Sequence, residues 1–262
     1  MTGPAENGGG ARTVPDSGLW QLEELYRGSF PLEQLGYGTV RDLADSADHL
    51  PGLAASSFDM KNLQRPWMVK AILGNVAAGG TLVEIGAGEP LVADLLTRLG
   101  YRVIVVDPYD GSGNGPREFA RFQREYPKVE FIRELFPPSA SLPGEVAAVY
   151  SISVLEHVPL DAVGGVMRAA AGMLAEGGLS IHAIDHVLSG WSATEHRERL
   201  DEMVRSAGLD VERLDEVLGA LERDPEAYFV SAEAHERWRG ALAYDDFPMR
   251  KIASVSLAVR RK

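Results

Sequence analysis

From residue 80 to the end of the chain, apolar runs of strand length alternate with segments of helical periodicity. This alternation predicts a doubly wound α/β fold with a mostly parallel sheet, because parallel strands need helical crossovers that cover both faces. The run YRVIVVD is almost wholly apolar, as expected of a strand buried on both sides. Seven candidate strands cover residues 81–88, 101–107, 129–135, 145–154, 179–185, 209–214 and 251–261.

Composition and charge exclude several classes of protein. The 262 residues are 45% hydrophobic and 24% charged, which is enough to build an ordinary buried core. The net charge of −12 argues against nucleic acid and anionic membranes as partners, since both attract cationic surfaces. The sequence has no cysteine, no apolar run of membrane-spanning length and no secretory h-region near residue 1. We therefore expect a globular enzyme or binding protein of the cytoplasm, and no feature of the sequence predicts an oligomeric state.

The chain divides into three regions. Residues 1–17 are rich in Gly, Pro and Ser and are predicted to be a disordered lead. Residues 18–76 show broken helical periodicity and predict a helical N-terminal layer, in which one helix starts at Pro66. Residues 77–262 form the α/β domain. Within this domain, the segment 215–247 is rich in aromatic and charged residues and is predicted to be a lid inserted before the last strand.

The most informative motif is the turn Gly86-Ala87-Gly88, which follows the first buried strand. Two glycines at this point allow the backbone to approach a ligand at the carboxyl edge of the sheet. Asp107 ends the next strand, 19 residues after Gly88, where a carboxylate is suited to accept hydrogen bonds from ribose hydroxyls. Sites for NAD and FAD share this arrangement, so these residues alone leave the cofactor open.

Glu84 and the residues after Gly88 distinguish between these cofactors. The run Glu89-Pro90-Leu91 lacks the third glycine of a dinucleotide-binding turn. A carboxylate at Glu84, beside the turn, would repel a pyrophosphate but attract a cofactor that carries an ammonium and a sulfonium. Electrostatics therefore favour S-adenosylmethionine over NAD.

The motifs VEIGAGEP, VIVVDPYD and VAAVYSISVLEHVP, in this order and spacing, resemble those of the class I S-adenosylmethionine-dependent methyltransferases. The resemblance runs from about residue 73 to residue 262, and Pro90 departs from it, since many members have a third glycine there. It implies S-adenosylmethionine as the cofactor and an antiparallel last strand at KIASVSLAVRR. Matched by position, it implies cofactor contacts at Gly86, Ala87 and Gly88 (amino-acid part), Asp107 (ribose), Glu134 and Leu135 (adenine) and Ser151 (methionine part).

Three residues near the ends of the fourth and fifth strands are candidates for the chemistry of an acceptor. His157 follows the fourth strand, and Asp185 and His186 end the fifth. For a hydroxyl acceptor, His186 would take the proton while Asp185 or His157 orients the ring or the substrate. His157 also fits a helix-start residue that only shapes the pocket, and Asp185-His186 also fits a solvated loop pair.

A divalent metal ion is an alternative use of the same side chains. Imidazole and carboxylate are suitable ligands, but a site normally needs three, and the third would be distant in sequence, such as His157 or His235. We therefore predict no metal site.

The hypothesis that best accounts for these motifs is methyl transfer to a small-molecule acceptor, at a hydroxyl oxygen in a biosynthetic tailoring step. N- and C-methylation by the same fold remain alternatives. Two other classes are an NAD-dependent oxidoreductase, which Glu84 opposes, and a cofactor-binding scaffold without activity, which the intact Gly86, Gly88 and Asp107 oppose.

Overall fold

The computed structural model describes residues 15–56, 59–112, 115–139, 142, 145–190, 192–231 and 252–262. A single sheet of seven strands runs through the described chain, in the order β1-β7-β6-β5-β2-β3-β4. The strands are β1 (Leu35–Tyr37), β2 (Thr81–Ile85), β3 (Arg102–Val106), β4 (Glu130–Ile132), β5 (Val146–Ile152), β6 (Leu174–Val187) and β7 (Ile252–Arg260).

The strand order shows where a ligand binds in a sheet of this kind. From the centre, β2, β3 and β4 extend in one direction, whereas β5 and β6 extend in the other, all five parallel. The order therefore reverses between β2 and β5, and ligands of doubly wound sheets bind at that point, beyond the carboxyl ends of the strands. Strand β7 is antiparallel to β6, so the predicted doubly wound, mostly parallel sheet with an antiparallel last strand is confirmed.

Helices cover both faces of the sheet. Helices α1, α4 and α5 contribute Leu22, Ile72 and Leu95 to one apolar core, which includes Leu82 of β2. The opposite core contains residues of α7, α8 and α9. The helices are α1 (Leu19–Tyr26), α2 (Val40–His49), α3 (Pro51–Ala54), α4 (Asp59–Asn75), α5 (Leu91–Arg98), α6 (Phe119–Glu125), α7 (Leu160–Met173), α8 (Ala193–Ser206) and α9 (Val211–Arg223).

One of the seven predicted strand positions is wrong, and one strand of the sheet was not predicted. The segment 209–214 is not a strand, because Asp210 accepts a hydrogen bond from the Glu212 N–H and caps α9. The seventh strand is β1 instead, within the region predicted to be helical, and it pairs antiparallel with β7. The division between the N-terminal layer (18–76) and the α/β domain (77–262) stays a prediction, and the core shared by Leu22 and Leu82 supports a layer rather than a separate domain.

Helix α4 begins at Asp59, seven residues before the predicted start at Pro66. Proline suits a first helical turn because it has no N–H to donate, but here it lies inside the helix. Leu63 and Gln64, just before it, are 2% and 1% exposed, so tertiary packing holds this turn. Since α4 packs on β5, β6 and β7, its first turns lie over the strand ends that matter for ligand binding.

Two further predicted segments lie only partly within the described residues. Asp16–Gly18 form a 3-10 turn, in which Asp16 pairs with Arg98 at 2.7 Å, and residues 1–14 of the predicted disordered lead lie outside the described residues. The predicted lid, 215–247, begins with the last nine residues of α9, where Leu218 and Leu221 pack in the core. Residues 232–247 lie outside the described residues, and a lid there stays a prediction. Within the described chain, no helix has the length and hydropathy needed to cross a membrane.

Candidate active site

The order of the strands reverses between β2 and β5, so a ligand crevice is expected beyond their carboxyl ends, where the glycine turn after β2 lies. Gly86 and Gly88 have φ angles of +65° and +58°, a conformation that favours glycine. A Cβ at Gly86 would also come within 2.9 Å of the Val154 side chain across the crevice. Both glycines of the predicted cofactor turn are therefore required by this backbone.

Asp107, at the end of β3, fixes the shape of this turn. The Gly88 N–H donates to Asp107 Oδ2 at 3.0 Å, and the Tyr109 N–H donates to Oδ1 at 2.8 Å. A carboxylate accepts about four hydrogen bonds, so each oxygen keeps capacity for a ligand hydroxyl. Asp107 thus joins the ends of β2 and β3 and remains able to bind a ribose.

Glu84 lies in β2, on the face that packs against α4, and is 3% exposed. The Tyr150 hydroxyl donates to its Oε2 at 3.0 Å. Burial raises the pKa of Glu84 to about 7, although this hydrogen bond and the attraction of Arg65 oppose the rise. Its charge is therefore easily changed near neutral pH, and a cationic ligand would favour the ionised form.

Two residues beside the crevice have strained backbones. Tyr109, two residues after Asp107, has φ = +48°, and Ser153, just after β5, has φ = +51°. Non-glycine residues rarely adopt this conformation, and such strain is concentrated at functional sites. The carboxyl edge of the sheet is strained on both sides of the glycine turn.

The first turns of α4 meet the end of β6 through Gln64 and Asp185. Gln64 Nε2 donates to Asp185 Oδ1 at 2.8 Å. The Ser153 hydroxyl lies 2.6 Å from Gln64 Oε1 and 3.2 Å from Asp185 Oδ1, and it can donate to one of them at a time. The Asp185 N–H donates to Glu156 Oε1 at 3.3 Å. Asp185 therefore belongs to a hydrogen-bonded group with Gln64, Ser153 and Glu156, three residues that the sequence did not indicate.

Asp185 and His186 do not act on the same side of the sheet. Consecutive residues of a strand point to opposite faces, and Asp185 binds Gln64 of α4 whereas His186 packs beside His196 of α8, with ring centroids 6.4 Å apart. His186 is 3% exposed, and burial lowers its pKa to about 4. The version of the prediction in which Asp185 orients the His186 ring is therefore wrong, whereas the versions in which His157 orients the ring or Asp185 orients the substrate stay predictions.

Two other histidines, His157 and His196, interact with Asp185. His157 ends the 3-10 turn Leu155–His157 after β5, is exposed and interacts electrostatically with Asp185. His196 Nδ1 lies 3.1 Å from the Asp185 carbonyl oxygen. Because a carbonyl only accepts, Nδ1 carries the hydrogen, and Nε2 has a free lone pair when the ring is neutral. His157 remains a candidate, and His196 is a further one.

The remaining predicted cofactor residues differ in their surroundings. The Ser151 hydroxyl is 2.8 Å from His182 Nδ1 inside the sheet, on the face away from Glu84, so only the backbone of Ser151 can meet a methionine part. Glu134 and Leu135 follow β4, and Leu135 is 71% exposed, which offers an apolar surface at the rim of the site. Their roles stay predictions.

The structure gives no support to the alternative of a metal site in the described part of the chain. No group of three His, Asp or Glu residues there is arranged to hold a metal ion. His235, which could have supplied a third ligand, lies outside the described residues.

No protein-family model matches the sequence, and no curated protein matches it. Among solved structures, geranyl diphosphate methyltransferase in complex with GPP and sinefungin superposes with a TM-score of 0.50 at 17% identity, covering 94% of this chain and 100% of that one. The chain has the class I methyltransferase fold. Other similar structures include geranyl diphosphate C-methyltransferase from Streptomyces coelicolor A3(2) (TM-score 0.48, 15% identity, 96% of this chain and 100% of that one). The N-methyltransferase NodS from Bradyrhizobium japonicum WM9 gives a TM-score of 0.47 at 14% identity, with 86% and 98% coverage.

Proposed function

We propose that this protein is an S-adenosylmethionine-dependent methyltransferase that acts on a small-molecule acceptor. The observation that carries the proposal is the buried carboxyl group of Glu84 beside the left-handed turn at Gly86 and Gly88. A turn of this kind exists to bring backbone close to a ligand, and a buried acid beside it favours a ligand with positive charge.

The crevice offers a partner for each part of S-adenosylmethionine. Glu84 would bind the ammonium, and Asp107, whose two oxygens each accept one backbone N–H, would bind the ribose hydroxyls. Glu134 and the exposed Leu135 would border the adenine. When bound, S-adenosylmethionine supplies a methyl carbon activated by sulfonium, and transfer forms the bond to the acceptor as the carbon–sulfur bond breaks.

The surroundings of α5 argue against the oxidoreductase alternative. A dinucleotide would place its pyrophosphate at the N-terminus of this helix. Glu89 lies just before that helix, where it accepts a hydrogen bond from the Tyr126 hydroxyl at 2.8 Å, and Asp94 lies in its first turn. These acidic groups and Glu84 would repel a pyrophosphate.

The acceptor is expected beyond the carboxyl ends of β5 and β6, next to the methyl donor. The sequence favours a hydroxyl acceptor that is deprotonated by His186. That role would need the His186 ring on the face of the sheet where the Asp185 side chain lies. Asp185 is therefore the better candidate for the polar contact to the acceptor, because it is partly exposed and held by Gln64.

Calorimetric titration with S-adenosylmethionine, S-adenosylhomocysteine and NAD tests the cofactor. We expect the two sulfur ligands to bind and NAD not to bind. Glu84→Gln should weaken S-adenosylmethionine, whereas Glu222→Gln, on the exposed side of α9, should not. Tight binding of NAD without binding of either sulfur ligand would overturn the proposal, and binding without transfer to any acceptor would favour an inactive scaffold.

A further inference from the structure

Two acidic residues lie side by side where β5 and β6 end, joined by a hydrogen bond from backbone to carboxyl. Asp185 is two residues from the end of β6, and Glu156 lies in the 3-10 turn that follows β5. The Asp185 N–H donates to Glu156 Oε1 at 3.3 Å, which orients the Glu156 carboxyl toward the end of β6. Glu156 is 4% exposed, so the fold and not the solvent surrounds it.

Each of these carboxyl groups keeps one oxygen that the described residues do not use. Glu156 Oε2 is buried and has no hydrogen-bond partner in the described part of the chain. Gln64 and Ser153 both bind Asp185 at Oδ1, which leaves Oδ2 of this partly exposed residue for a ligand or solvent. Buried carboxyl oxygens are normally hydrogen-bonded, so an oxygen without a donor at a binding crevice indicates that a ligand brings the donor.

Burial favours the protonated form of both carboxyl groups, and the attraction of Lys61 favours the ionised form. Burial, followed by repulsion from Asp185, raises the pKa of Glu156, and burial raises that of Asp185. The groups that face the pair are Lys61 of α4, which attracts both carboxylates, His157 of the 3-10 turn and His196 of α8. Repulsion between the two carboxylates disfavours the ionisation of both together, and the attraction of Lys61 opposes this effect.

We propose that Asp185 and Glu156 form the acceptor site and that the acceptor is a primary or secondary amine. This inference rests on the proposed function and adds the class of substrate. Two free acceptor oxygens match the two or more N–H donors of an ammonium group, whereas a hydroxyl has a single donor. A carboxylate at either position would also attract a cation more strongly than a neutral alcohol.

The two residues have different roles in this site. Asp185, the partly exposed member, contacts the nitrogen and takes one proton from the ammonium, which leaves a neutral amine with a free lone pair. Glu156 offers its unpartnered Oε2 as the second acceptor for the N–H groups of the ammonium. After transfer, the product leaves as an ammonium with one more methyl group, and the pair releases the proton it took to solvent, so that charge and protons balance. Because burial raises the pKa of Asp185, its carboxylate is a stronger base than an exposed one.

A binding experiment separates this inference from the proposed function. The protein is first titrated with S-adenosylhomocysteine, and the loaded protein is then titrated calorimetrically with benzylamine, benzyl alcohol, cyclohexylamine and cyclohexanol. We expect at least one amine to bind about 10- to 100-fold more tightly than its matching alcohol, the equivalent of one charged hydrogen bond. Failure to bind S-adenosylhomocysteine would overturn the proposed function, whereas normal loading without a preference for amines would overturn only the amine site.

Variants locate the site. Asp185→Asn should remove the preference for amines, and Glu156→Gln should reduce it and shift its pH dependence, while Glu222→Gln on α9 should preserve it. With an amine that is turned over, Asp185→Asn should lower kcat by about 10²–10⁴-fold, the usual effect of losing a general base. A preference for amines that survives in both site variants would place the acceptor elsewhere.

An infrared measurement on the native protein keeps the inference testable if Asp185→Asn does not fold. The C=O stretching band of protonated carboxyl groups should change when benzylamine or cyclohexylamine is added to the loaded protein, and it should stay unchanged with the matching alcohol. Identical spectra with the amine and the matching alcohol would overturn the proposal. So would a failure of all four compounds to bind.

Discussion

Replacing Glu84 by glutamine should make the free protein more stable at alkaline pH. The pKa of Glu84 rises from 4.5 to about 7 on folding, because the carboxyl is buried. Since each pKa unit corresponds to about 1.36 kcal/mol, ionising Glu84 in the folded protein costs about 3 kcal/mol more than in the unfolded chain. A carboxyl group with a raised pKa stabilises the fold fully below pH 4.5, and this contribution is lost as the pH rises through about 7. Glutamine retains an oxygen to accept from the Tyr150 hydroxyl and has no charge to bury.

Urea unfolding of the native protein and of Glu84→Gln at pH 4.5 and at pH 8 measures this effect. Between the two pH values, the native protein should lose about 3 kcal/mol of unfolding free energy relative to the variant. The effects of Asp185, Glu156 and the histidines cancel in this difference, because both proteins contain them. Parallel pH profiles for the two proteins would refute the reasoning and would mean that Glu84 is not desolvated.

The ionisation of Glu84 should also make cofactor binding depend on pH. If the positive groups of S-adenosylmethionine bind ionised Glu84, binding below pH 7 should release a proton, since the free protein holds the carboxyl partly protonated. Calorimetry in buffers of different ionisation enthalpy counts that proton, and Glu84→Gln should release none. Equal proton release by both proteins would mean that the ammonium does not bind at Glu84.

Three further predictions follow from single residues. Asp107→Ala should weaken S-adenosylmethionine by about 1.5–3 kcal/mol in a calorimetric titration, the cost of a charged hydrogen bond, and unchanged affinity would mean that the ribose binds elsewhere. Gly79→Ala and Gly86→Ala each place a Cβ on a residue with positive φ, which should lower the unfolding free energy by about 1–2 kcal/mol. Only Gly86→Ala should also lose further stability and cofactor affinity, because its Cβ would collide with Val154. His186, neutral in the fold with its pKa lowered from 6.5 to about 4, should destabilise the protein by up to about 3 kcal/mol as the pH falls through that window, and His186→Gln should remove this slope from unfolding curves.

The sheet could be predicted from the sequence because five of its strands are buried apolar runs with clear boundaries. The two corrections have local reasons. Strand β1 has only three residues, too few for a periodic pattern, and its pairing with β7 decides its conformation. In segment 209–214 the apolar residues fit either a strand or a helix, and the cap at Asp210 decides for the helix.

The position of the glycine turn beside Asp107 was predictable because it depends on one continuous motif and one strand end. Gly86, Gly88 and Asp107 are brought together by adjacent parallel strands. The contribution of Gln64 was not predictable, because a polar residue on a helix shows no sign of the strand it will meet. The error about Asp185 and His186 was avoidable, since the alternation of side chains along a strand separates neighbours in sequence.

The outer edge of β7 is covered by two short pieces of chain that are far apart in sequence. Leu35–Tyr37 pair with Val255, Ser256 and Leu257, and Val230 donates its N–H to the Ile252 carbonyl at 3.0 Å. A protein shortened to begin after residue 37 would therefore expose the backbone of β7 at Val255, Ser256 and Leu257, within a largely apolar strand. Exposed edges of this kind pair with other chains. The N-terminal segment thus protects the protein against self-association, and shortened forms should appear as aggregates in size-exclusion chromatography, whatever their ability to bind a cofactor.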